Sequence, residues 1–82
     1  MVSVKYHTGY KFAIDQLEGD NQSDRIINRL ENRMEEIKTA GLNDDFEIGL
    51  GDAIGEFKRT IGLLRKEGAI KAMNANYLDM VK

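Results

Sequence analysis

Three arginines, Arg25, Arg29 and Arg33, recur at every fourth residue of the stretch DRIINRLENRMEEIK. On a helix this spacing stacks the guanidinium groups along one side, where like charges repel one another mildly. A guanidinium is well shaped for two-pronged capture of a phosphate or carboxylate. The stripe is therefore a candidate anion site, and Arg59, Arg65 and Lys66 could add to it where subunits meet. The plain alternative is a solvated face neutralised by Glu36, or by Asp52 and Glu56 of the following helix. A second pattern lies in FEIGLGDAIGEFKRTIGLL, where Gly49, Gly51, Gly55 and Gly62 interrupt a helical period. Each glycine inside a helix costs roughly 0.5–1 kcal/mol relative to alanine. At about 100° per residue, Gly51, Gly55 and Gly62 share one narrow sector near Lys58. Such a strip either lets two helices approach closely or forms a shallow groove for a flat ligand or a partner's side chain. The candidate ligand-binding set is Arg25, Arg29, Arg33, Lys58, Gly51 and Gly55.

Other chemistry-bearing residues form no constellation. His7 is the single histidine, and spacing ties no serine or carboxylate to it. Asp44, Asp45, Glu47 and Asp52 lack the pattern of a calcium loop, and the first three suit the electrostatics of a helix start. No metal or cofactor is expected. The Gly49-Leu50-Gly51 triplet follows no strand, and the third glycine of a dinucleotide fingerprint is misplaced. Tyr6, Tyr10 and Tyr77 could stack on a base, build an interface or fill a core. With no set of nucleophile, base and stabilising donors, the expectation is a protein that is not an enzyme.

The elements that must position these residues are helical. In Asn43–Glu67 the residues Phe46, Leu50, Ala53, Ile54, Phe57, Ile61 and Leu64 recur at threes and fours, predicting one long amphipathic helix. Asp44 and Glu47 make its acidic start, and Arg65 and Lys66 its basic end. Before it, Ser23 suits an N-cap, and Ile27, Leu30, Met34 and Ile37 continue a helical seam widened by Ile26. Gly41 suits the left-handed position that closes a helix. The short link Leu42-Asn43 then folds the two helices into an antiparallel hairpin. In residues 1–7, Val2, Val4 and Tyr6 alternate with polar residues, as in an extended segment. A β-hairpin turning at Thr8-Gly9 is one reading of residues 1–18; a helix from about Thr8, stopped by Gly19-Asp20-Asn21, is favoured by the spacing of Tyr10, Ile14 and Leu17. Gly68 breaks the chain before a last helix over residues 69–82, carried by Ile70, Met73 and Tyr77. The expected organisation is one all-α domain, residues 1–82, with a hairpin core at 23–66, an N-terminal segment at 1–20 and short flanking helices.

Composition bounds the rest. The chain has 82 residues, 41% hydrophobic and 32% charged, and a formal net charge of −2. That is the composition of a folded domain with no strongly basic footprint for a nucleic acid polymer. A core this small makes a homo-oligomer an expectation. Without cysteine there is neither a disulfide nor a thiolate site. No apolar run reaches membrane-spanning length and no signal-peptide core opens the chain, so a cytoplasmic location is expected.

The two-helix core, residues 23–66, through the stretches DRIINRLENRMEEIK and FEIGLGDAIGEFKRTIGLL, resembles the hairpin domain of phage anti-CBASS and anti-Thoeris sponge proteins. The likeness covers about half the chain and lies in a charged amphipathic helix, a short link and an acid-started second helix. It implies a non-enzymatic oligomer that captures a cyclic nucleotide signal of host defence between subunits, in the host cytosol if phage-encoded. The leading expectation is thus sequestration of a phosphate-bearing ligand. The rival expectation is an inhibitor or adaptor that docks a helical face on a host protein. A third is an assembly factor of a phage particle.

Overall fold

The computed structural model of the protein describes residues 4–19, 23–42 and 44–81. Four helices follow one another: α1 (Val4–Glu18), α2 (Ser23–Thr39), α3 (Asp45–Ile61) and α4 (Lys66–Met80). No strand occurs among the described residues, and the fold class is all-α. The helices are of nearly equal length, 15 residues in α1 and α4 and 17 in α2 and α3, so the outer pair are not short flanking pieces.

Each helix turns its apolar stripe inward. Tyr10, Ala13, Ile14 and Leu17 are buried from α1, and Ile26, Ile27 and Leu30 from α2. Leu50, Ala53, Ile54 and Phe57 come from α3, with Ala69, Ile70 and Met73 from α4. The spacing of three and four that predicts these helices is thus the spacing that fills the core.

The centre of the packing differs from the expected α2–α3 pair. α1 lies against α3 more closely than any other two helices do, and α2 meets α3 only lightly. Glycine is the reason. A Cβ on Gly9 would overlap the Phe46 carbonyl, and one on Gly49 would overlap the Tyr6 carbonyl, so each helix presents a glycine to the other's backbone. Close helix approach is therefore a role of Gly49, together with Gly9.

Three boundaries also differ. α1 begins at Val4 rather than near Thr8, and residues 4–7 are helical rather than extended. Their alternation is outweighed by packing, because Tyr6 in this first turn lies against α3. The expected single helix over 43–67 ends instead at Ile61, where the Thr60 carbonyl accepts the N–H groups of both Leu63 and Leu64. That turn sends α4 back over α1 and α3, so Lys66 and Glu67 start α4 and Gly68 lies inside it. Gly62 caps α3 and is not interior to it.

Other ends agree with expectation. Gly41 takes φ 74° after α2, and the Asp44 side chain accepts the Glu47 N–H at 3.3 Å to cap α3. Ser23 opens α2; its capping side chain, and Asp20-Asn21 of the expected stop, lie outside the described residues.

Candidate functional site

Arg33 is the most constrained member of the arginine stripe. Its guanidinium donates to Glu47 Oε1 at 3.0 Å. It also stands over the rings of Phe12 and Phe46, 5.7 and 5.4 Å from their centroids. The two rings are tilted at 54° to each other, 5.7 Å apart. Cation–π attraction on two sides and a buried carboxylate hold this arginine in the fold. Arg29 donates to the neutral Gln16 Oε1 of α1 at 2.8 Å, and Arg25 is exposed. Neither has a carboxylate partner among the described residues.

Lys58 and the glycines stand elsewhere. Lys58 pairs with Glu31 at 3.3 Å. Gly51 lies beneath the Met34 side chain, while a Cβ on Gly55 would meet nothing within 4 Å. On α2, Glu31 and Met34 sit about 140–200° around the helix from Arg29, taking 3.6 residues per turn. The arginines therefore stand apart from Lys58 and Gly51, which meet α2 at Glu31 and Met34, and the candidate residues do not converge. Gly51 does open onto a groove of about 390 Å³ between α2 and α3, but its lining carries Glu31, Glu35, Glu47 and Asp52 against the single cation Lys38.

Two of the expected neutralisers of the stripe, Asp52 and Glu56, act elsewhere. Asp52 accepts a hydrogen bond from the Tyr6 hydroxyl, and Glu56 pairs with Arg59 one turn on. Glu47, expected only to favour the helix start, is 5% exposed, and its Oε2 is buried with no hydrogen-bond partner. One signal in the chain points to this burial. Seven residues separate Glu47 from Ile54, which puts the two about 20° apart on the helix, at the border of the apolar stripe.

The tyrosines act within the fold. The Tyr6 hydroxyl is pushed up to about 12, first by burial and then by its hydrogen bond to Asp52 and that carboxylate's charge. Tyr10, in the core, is also raised, mainly by burial, and accepts a hydrogen bond from Asn76 at 3.4 Å. Tyr77 lies under the Lys11 ammonium, 5.6 Å from the ring centroid. His7 is half-buried, and its Nε2 has no hydrogen-bond partner. Among the described residues no group of three His, Asp or Glu side chains is arranged to hold a metal ion, and no helix is long and apolar enough to cross a membrane.

Among the described residues, large exposed apolar side chains fall closest together along the chain at the α3–α4 turn. Ile61, Leu63 and Leu64 are 40%, 84% and 50% exposed within four consecutive residues. No protein-family model matches the chain, and neither a curated protein nor a solved structure does.

Proposed function

We propose that this protein is a non-enzymatic binding protein that acts by stoichiometric contact, docking an apolar helical corner on a protein partner. The observation that carries this reading is the exposure of Ile61, Leu63 and Leu64 at the turn between α3 and α4. Full burial of a large aliphatic side chain is worth about 1.5–3 kcal/mol, most of which Leu63 still has to gain from a partner, with Ile61 and Leu64 gaining about half. The test compares the chain with its Leu63→Glu variant in pull-downs from the cells that produce it, with helicity checked by circular dichroism. One protein recovered at a fixed ratio by the parent chain, and lost with the folded variant, is the expected result. Recovery of the same proteins by both overturns the reading. A homo-oligomer that dissociates in Leu63→Glu also overturns it, since the corner is then covered by a second copy.

A second reading is capture of a phosphate-bearing ligand, such as a cyclic nucleotide, by a homo-oligomer. Arg25 and Arg29 favour it: they are exposed one turn apart with no carboxylate partner among the described residues. Arg33 and Lys58 weigh less, because Glu47 and Glu31 engage them. Native mass spectrometry with cyclic mono-, di- and trinucleotides tests it. A ligand mass gained at a fixed ratio per subunit, and lost in Arg29→Glu, supports capture; no gain removes it.

A further inference from the structure

We infer that the groove between α2 and α3 binds a protonated alkylamine, either a free polyamine or a lysine side chain of a partner. Its starting point is the Glu47 carboxylate. Arg33 donates to Oε1, and Arg33 takes no part in the groove lining. Glu47 lines this groove as well as the neighbouring one that Arg33 shares, and its Oε2 is buried without a donor. A carboxylate oxygen in that state carries a desolvation penalty which an entering N–H group relieves.

The surroundings select a cation. Asp52 has the neutral Tyr6 hydroxyl as its hydrogen-bond donor, so its charge is uncompensated by that bond. Glu35 forms no ion pair among the described residues, and Glu31 is engaged by Lys58. Lys38 is the one cation in the lining. An ammonium offers three donors on a compact charge and can serve separate carboxylates at once. Met34 and Ile48 supply apolar wall for an alkyl stem. Gly51 keeps the floor low: a Cβ there would stand 2.8 Å from the Met34 methyl. A lysine-like chain, with an aliphatic stem and charged tip, combines these features. This inference does not depend on the apolar corner, and the two can fail separately.

The test is an amide NMR titration of the full chain with spermidine, with a tetralysine peptide, and with magnesium chloride at matched ionic strength. The expected result is saturable shifts at Ile48, Gly51 and Asp52 with spermidine or tetralysine and none with magnesium. The tighter of the two amines identifies the source. Glu35→Gln should weaken binding by about tenfold, the equivalent of 1.4 kcal/mol. Gly51→Leu should fill the groove and abolish binding. Glu47→Gln leaves Arg33 without its carboxylate and is the variant most exposed to misfolding, which is why the first two carry the test. Shifts that do not saturate, that magnesium reproduces, or that survive both substitutions overturn the inference. Leu63→Glu should leave the amine titration unchanged.

Discussion

The Tyr6 hydroxyl and the Asp52 carboxylate join α1 to α3 by a hydrogen bond whose donor must stay protonated. Burial and the neighbouring carboxylate raise the Tyr6 hydroxyl from 10.0 to about 12. In the unfolded chain the same phenol ionises near its ordinary value. Between those pH values the folded state holds a proton that the unfolded state has lost, so stability falls as pH rises. The contribution of Tyr6 is therefore full below about pH 10 and disappears as pH climbs through about 12. Urea midpoints from pH 9 to 12 should show the parent chain's advantage over Tyr6→Phe shrinking across that window. A constant difference would mean the phenol has no raised ionisation. Tyr10 is raised as well, so it is the difference from Tyr6→Phe that isolates Tyr6. Little of this was legible in the chain. Tyr6 and Asp52 are 46 residues apart, and only the crossing of α1 over α3 brings them together. The Arg33–Glu47 pair is similar: the arginine spacing is readable, but Glu47 also fits a helix start, and that simpler role conceals its burial.

Helix–helix approach gives glycine opposite meanings within α3. Gly49 faces the Tyr6 backbone, and Gly9 of α1 faces the Phe46 backbone; neither carbonyl can move aside as a flexible side-chain end can. Alanine at either position should separate the helices and lower stability by about 1–3 kcal/mol, beyond any gain in helix propensity. Gly55 has open space where its Cβ would be. Gly55→Ala should therefore raise stability by about 0.5–1 kcal/mol, the ordinary helix preference. Urea unfolding with unchanged m-values reads all three. Equal effects of either sign at Gly49 and Gly55 would refute the close crossing. The interiors of α2 and α4 were readable because their apolar period coincides with their buried face. The end of α3 was not: the period runs on through Leu64, while the chain turns at Gly62 so that Ala69, Ile70 and Met73 can reach the core. The start of α1 was concealed by a strand-like alternation that packing overrides.

At the scale of the whole molecule, the radius of gyration of 12.2 Å is close to the roughly 12 Å expected of a compact chain this long. Such compactness needs all four helices, because no two of them enclose a core. α1 supplies Tyr10, Ile14 and Leu17 and also covers α3, whose Leu50 and Phe57 are fully buried. Each large side chain returned to water costs about 1.5–3 kcal/mol. Loss of three from α1 alone approaches the entire stability of a domain this size, about 4–12 kcal/mol. A fragment of residues 20–82 should therefore lose most of its helicity and unfold without a cooperative transition, and the 23–66 piece should do the same. Circular dichroism during thermal and urea unfolding distinguishes the cases. If residues 20–82 instead melt cooperatively with near-parental helix content per residue, then α2, α3 and α4 form a core of their own and α1 is an accessory. The expected failure would make α1 and α3 the pair on which the groove, the apolar corner and the arginine stripe all depend for their positions.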